Sequence, residues 1–243
     1  MPNILLNFFL PKIIIKLSYL NCVKAYTIKS LSDQALLLQW DDEDVISVHQ
    51  HVMAYHNHLR KNSFIGYIES VPAYTSLAVY YDVFKIRESH PSAKEFVIEQ
   101  LMSIHFTDLK TQTGKLFTIP VHYGGADGPD LEEVAKTNGI SSEELIRLHT
   151  STEYHVYMIG FMPGFPYLGF THEKLRAQRK KSPQLKVPAG SVALAGNQTG
   201  IYPASVPGGW QIIGRTTMHL FDADQQQPCL LQTGDRVKFI AAT

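Results

Sequence analysis

The residues best equipped for chemistry in this 243-residue chain crowd into one stretch, around 155 to 215. It contains GFMPGFPYLG from Gly160, RKKSPQLKVPAGSVALAGNQTGIYP from Arg179 and PGGWQIIGRT from Pro207. Glycine lets a backbone turn or approach a ligand where a Cβ would clash, and proline removes the freedom glycine leaves. Phe161, Pro163, Phe165, Tyr167 and Trp210 would then form a rigid apolar wall. Arg179, Lys180 and Lys181 bring positive charge, while Ser191, Asn197, Gln198, Thr199 and Tyr202 bring neutral donors and acceptors. His122, His149 and His155 flank the region and are candidates for local chemistry. An apolar concavity with a few convergent polar groups is the composition of a small-ligand site. The competing reading is that Gly and Pro only make tight turns around a β-barrel. Aromatics, amides and cations interleaved over sixty residues favour a pocket or a subunit surface.

Several other chemistries are excluded. Lys+Arg and Asp+Glu both number 22, so the formal charge is zero and a broad polyanion-binding surface is not expected. His49, His51, His56 and His58 lack the i, i+4 spacing of a helical metal pair and have no acidic or Cys cluster beside them. They read as a solvated or half-buried face, and no metal site is expected. There is no GxSxG elbow and no GxxxxGK[ST] phosphate loop. The helical pair over 130–150 invites a helix-turn-helix or LysM reading, but its second helix offers Glu143, Glu144 and a lone Arg147. Packing and positioning suit it better, and no nucleic-acid partner is expected. Cys22 and Cys229 have no CxxC spacing, which fits a reducing cytoplasm.

The elements that must position these residues fall in two parts. Residues 26–40 contain two strand-like pieces around Ser32-Asp33. Val45, Val48, Val52, Tyr55 and Leu59 recur at three and four, predicting a helix over 43–60. Residues 65–82 give two strands broken at Val71-Pro72, 91–104 a second helix opening at Pro91, and 115–123 a further strand. That order, β-α-β-β-α-β, predicts a split βαβ sandwich. Asp130 with Glu133, and Ser141 with Glu144, have capping-box spacing, and Gly139 can end the first helix of the pair. Beyond 155, short apolar runs between Gly and Pro predict a closed or sandwiched β-structure. The fold class is therefore α+β. The expected division is an atypical apolar extension over 1–24, an α+β domain over 25–112 and a barrel domain over 113–243. The extension has Pro11, Lys12 and Lys16 inside it, and its apolar runs fall short of a spanning helix. It reads as an upstream addition, with a membrane or export role and an ordinary strand as alternatives.

The motifs SLSDQALLLQW, PAYTSLAVYYD, IPVHYGGADGPDL, GFMPGFPYLG, VPAGSVALAGNQTGIYP and PGGWQIIGRT carry a resemblance. Over about residues 25–240 the chain resembles the family of bacterial 5-oxoprolinase B subunits, also labelled allophanate hydrolase subunit 1 or Kip inhibitor of a sporulation kinase. The same domains occur in the carboxyltransferase part of urea carboxylase. The resemblance implies a small split βαβ (ferredoxin-like) domain and a cyclophilin-like β-barrel, in a cytoplasmic, heteromeric complex with the A and C subunits, the latter a related barrel. It implies opening of 5-oxo-L-proline to L-glutamate with hydrolysis of ATP, with Mg2+ shared with the partner, and no role at a membrane. The alternative it carries is a binding module acting on a histidine kinase. Under the enzyme reading Arg179 and Lys180 would hold phosphate or carboxylate, Ser191, Gln198 and Tyr202 would orient the amide, and His155 would lie beside them. Gln178 and Gln184 stand where the family pattern leads one to expect proline and arginine, with Lys186 a possible substitute for the latter.

Overall fold

The computed structural model describes residues 13–15, 25–106 and 114–242. Two compact units make up the chain, Met1–Thr111 and Gln112–Thr243. Most of the 1–24 extension and the 107–113 junction, with Cys22, lie outside the described residues.

In the first unit the strands are β1 (Ile13–Ile15), β2 (Tyr26–Ser32), β3 (Ala35–Trp40), β4 (Tyr67–Pro72) and β5 (Ser76–Tyr81). The helices are α1 (Val45–Lys61), α2 (Val83–Arg87) and α3 (Ala93–Met102). Sheet order is β1-β2-β3-β5-β4, and every pairing is antiparallel. β3, α1 and β4 therefore form a βαβ unit with β5 inserted between its strands, the split arrangement expected. The flanking strand is not the one expected. The strand over 116–123, read into that order, pairs among the barrel strands, and β2 is the strand that flanks β3 on its other side.

α1 forms because Asp44 caps it, accepting from the Ser47 amide, and because Val48, Val52, Tyr55 and Leu59 recur on one buried face. His49 and His51 are buried as well, where the sequence suggested a solvated or half-buried face. His56 Nδ1 lies 2.8 Å from Ser70 Oγ across the helix–sheet contact. The core around them is aromatic, with Tyr26, Trp40 and Tyr55 rings 5.1 to 5.6 Å apart.

The second unit holds β6 (Leu116–Tyr123), α4 (Leu131–Thr137), α5 (Ser142–Ser151), β7 (Glu153–Ile159) and β8 (Pro166–Gly169). These are followed by β9 (Gln184–Val187), β10 (Ser191–Ala195), β11 (Gln198–Ile201), β12 (Val206–Gly208), β13 (Gln211–Arg215) and β14 (Arg236–Ala241). Seven strands close a barrel in the order β10-β11-β8-β7-β14-β6-β13, and β9 pairs with β12 as a separate ribbon. Closure removes free sheet edges. The interior is aliphatic, built from residues such as Val121, Val156, Leu168, Leu194 and Ile213.

One polar chain runs through this interior. Thr199 Oγ1 donates to the Ala193 carbonyl at 3.0 Å, so it must accept from His149 Nε2–H at 3.0 Å. That assignment leaves His149 Nδ1 to accept from the Tyr123 hydroxyl at 2.7 Å. His149 also stacks on Phe239, ring centroids 4.5 Å apart. Desolvation lowers its pKa to about 3, so the imidazole is neutral. A flanking candidate for chemistry is thus a fully satisfied part of the core.

The helix pair shows one expected cap and one departure. Ser141 caps α5 by accepting from the Glu144 amide. Asp130 precedes α4 but makes no side-chain cap bond. Its carboxylate is engaged elsewhere.

Candidate functional site: a cationic cleft on the barrel

The cleft is bounded by α4, by the irregular segment 176–181 and by the Gly196–Asn197 turn, and it encloses ≈ 1380 Å³. The 176–181 segment has no regular structure of its own, yet it is tied down along its length. Asn138, just past α4, accepts from the Arg176 amide at 3.3 Å and donates through Nδ2 to the Arg176 carbonyl at 2.9 Å. Ala177 exchanges backbone bonds with Gly196. Gln211 Nε2 donates to the Gln178 carbonyl at 2.9 Å, and the Lys180 amide donates to the Gly209 carbonyl at 2.8 Å. Finally, Asp130 takes the Lys180 ammonium on Oδ1 and the Ile212 amide on Oδ2, each at 2.7 Å. The Lys180 and Asp130 side chains are 18% and 11% exposed, so the pair is largely shielded from solvent.

The result is alternation. Lys180 points inward to Asp130, while Arg176, Arg179 and Lys181 are exposed at the cleft, with no ion-pair partner among the described residues. The Arg179 guanidinium carbon sits 5.9 Å from the Trp210 ring centroid, within reach of a cation–π contact. Guanidinium groups left without a carboxylate suit phosphate or carboxylate oxygens, which they can bind two at a time.

The sequence candidates separate accordingly. Arg179 lines the cleft; Lys180 does too, but its charge is already matched. Phe165, Tyr202 and Trp210 are buried, and with the half-buried Tyr167 they form a cluster of edge-on rings 4.9 to 6.0 Å apart. They do not line the cleft; the rings turn toward one another, and they meet the site through Arg179, which lies over Trp210 and close enough to Tyr167 and Tyr202 to act on their hydroxyls. Burial pushes the Tyr167 and Tyr202 hydroxyls up, so both stay protonated. Phe161, 65% exposed with φ at +67°, and Pro163 stand outside the cleft. Gly164 explains part of that loop's composition. Its φ is +80°, and a Cβ there would lie 2.8 Å from Phe221 Cβ. Ser191 is 1% exposed at the head of β10 and does not reach the cleft. Gln198 opens β11, half-buried, and is not among the cleft residues. His155 lies on β7, its ring 4.7 Å from Tyr157, and burial with Arg236 nearby lowers its pKa. Gln178 does line the cleft, whereas Gln184 and Lys186 belong to the β9 ribbon. Sequence reasoning missed Asp130, Asn138, Arg176 and Gln211. The spacing of Asp130 to Glu133 suggested a helix cap, which concealed a carboxylate with other partners.

The comparisons agree with this architecture. The family described as carboxyltransferase domain, subdomain C and D, matches residues 26–231. The B subunit of 5-oxoprolinase from Bacillus subtilis is 45% identical over 223 residues, covering 88% of this chain and 92% of that one. The chain belongs to the family of 5-oxoprolinase B subunits. A second member, from Haemophilus influenzae, is 42% identical and covers 86% of this chain and 95% of its own length. A crystal structure of a conserved uncharacterized protein from Pyrococcus horikoshii has a TM-score of 0.52 at 39% identity, covering 88% of this chain and 97% of that one. Another crystal structure, of a longer chain, has a TM-score of 0.74 at 34% identity; this chain spans 40% of its length. Urea amidolyase from Kluyveromyces lactis, at 17% identity, a TM-score of 0.73, 96% of this chain and 16% of that one, shares the fold alone. Among the described residues, no helix is long and apolar enough to cross a membrane.

Proposed function

We propose that this chain is the B subunit of an ATP-dependent 5-oxoprolinase, which opens 5-oxo-L-proline to L-glutamate as ATP is hydrolysed, in a complex with the A and C subunits. The observation that carries the reading is the 45% identity to a 5-oxoprolinase B subunit over nearly the full length of both chains. The cleft supports it. A five-membered lactam is stable and its nitrogen is a poor leaving group. Transfer of the γ-phosphoryl group to the amide oxygen makes the carbonyl carbon electrophilic. Water then adds, the C–N bond breaks as the nitrogen takes up a proton, leaving a γ-glutamyl phosphate, and a second water displaces phosphate from that acyl group to give glutamate. Such transfers depend on positioning and on neutralising phosphate charge.

Arg176, Arg179 and Lys181 would meet the phosphate chain, with Trp210 limiting the orientations open to Arg179. Mg2+, when bound, would neutralise the phosphates. The described residues contain no group of three His, Cys, Asp or Glu side chains able to hold a metal, so the ion would be held chiefly by the nucleotide and a partner protein. Lys180 is assigned to structure rather than to the ligand.

The test is reconstitution. With the A and C subunits present, adding this chain should produce 5-oxoproline-dependent release of ADP and glutamate. Omitting it should abolish the coupling, and full turnover without it refutes the proposal.

A further inference from the structure

α4 is a seven-residue helix, about 10 Å long at the usual rise, with an unusual use of both its ends. Asp130, in the cap position before it, leaves the helix amides unbonded by its side chain. The carboxylate instead grips Lys180 Nζ and the Ile212 amide, while the Asp130 backbone amide donates to the Ile212 carbonyl at 2.9 Å. At the other end Asn138 pairs with the backbone of Arg176, accepting from its N–H and donating to its C=O. The two flanking residues therefore hold the segment 176–181 at its first residue and its fifth. Between and beside those points lie the three exposed cations of the cleft.

We propose that Asp130 and Asn138 are positioning residues: α4 is a bracket that fixes the spacing of Arg176, Arg179 and Lys181 so that together they receive a polyphosphate. Both residues line the cleft, but their polar atoms are engaged by Lys180, the Ile212 amide and the Arg176 backbone rather than offered to the ligand. Three long flexible cations on an unbraced loop would each lose conformational freedom on binding an anion. Here the backbone carrying them is already fixed by bonds that use no atom of the cationic heads. Lys180 is the internal anchor. Its ammonium is half-buried against a buried carboxylate, so removing the carboxylate leaves a poorly solvated charge and releases the segment. Asn138 acts at the opposite end through neutral bonds, so its loss should be milder.

The inference rests on the anion reading of the cleft, and the experiment separates the two. The full chain is titrated with inorganic tripolyphosphate by calorimetry, as wild type and as Asp130→Asn, Asn138→Ala and Tyr123→Phe. Tyr123→Phe weakens the barrel interior away from the cleft and serves as the stability control. Asp130→Asn should raise Kd roughly tenfold, and Asn138→Ala a few-fold, the scale of one charged or neutral hydrogen bond. Tyr123→Phe should leave Kd unchanged despite a lower melting temperature. In the reconstituted complex, the same two cleft variants should raise KM for ATP with kcat within about twofold, whereas loss of folded protein lowers kcat alone. If Asp130→Asn fails to fold, Asn138→Ala carries the test. Wild-type binding with both cleft variants unaffected, or with the control weakened equally, overturns the bracket. Absence of wild-type binding overturns the anion reading and the bracket with it.

Discussion

Inside the barrel, Tyr123, His149 and Thr199 pass each donated hydrogen to a named acceptor, ending on the Ala193 carbonyl. At the cleft, Arg176, Arg179 and Lys181 present their donors outward with no ion-pair partner among the described residues, although the Glu133 side chain lines the same cleft. The backbones behind both sets are hydrogen-bonded. The difference lies in where side-chain polarity is completed. In the interior it is completed by the fold, because an unpaired buried polar group costs about 1–3 kcal/mol. At the cleft it is left open, as the proposed function requires, and the cation matched to a carboxylate, Lys180 to Asp130, is the one turned inward. Stability should therefore respond to the first set and binding to the second.

The largest effect should come from the interior. His149→Ala leaves the Tyr123 hydroxyl without its acceptor and a cavity beside Phe239, and should cost about 3 kcal/mol in urea unfolding. Turnover per folded molecule should be preserved; a parallel loss of turnover would break the contrast. Arg179→Ala should do the reverse, lowering turnover of the reconstituted complex by about 10²-fold with an unchanged melting temperature. Full activity in that variant removes Arg179 from the site.

Acid should act through the interior. His149 titrates near 6.5 when unfolded and about 3 when folded. Between those values the unfolded chain holds a proton that the folded chain does not. Stability from this group is complete above about pH 6.5 and falls by ~1.4 kcal/mol per unit as pH drops toward 3. From pH 7 to 5 that amounts to ~2 kcal/mol. Burial lowers His56 and His155 too, which steepens the total in the same direction. A His149→Gln variant should show a slope shallower by the His149 share, and equal slopes would show that the relay is not buried as described. The smallest effect should be Leu185→Ser. Leu185 is 90% exposed on the β9 ribbon, away from both regions, and its change should stay within about 0.5 kcal/mol and leave tripolyphosphate binding unaltered.

Much of the architecture was legible in local pattern. The α1 face followed from its three-and-four spacing, and the strands beyond 155 from Gly and Pro punctuation. The pairing of 116–123 was not legible, because a strand's sequence does not name its neighbour. Its parallel partner β14 begins at Arg236, more than a hundred residues on. The site divided in the same way. Arg179 was visible as a cation in an aromatic context. Lys180 looked equivalent until Asp130, fifty residues earlier, claimed it. Ser191 and Tyr202 looked like polar contacts but are buried, Tyr202 in the ring cluster with Phe165 and Trp210.

The sequence by itself determined which segments are helix and strand, where the glycines bend the chain, and that cations and rings share one region, because these depend on residues close along the chain. Only the tertiary structure decided which cation stays open to solvent and which is matched, because a charge's state depends on whatever carboxylate the fold brings within 3 Å, and chain distance does not record that.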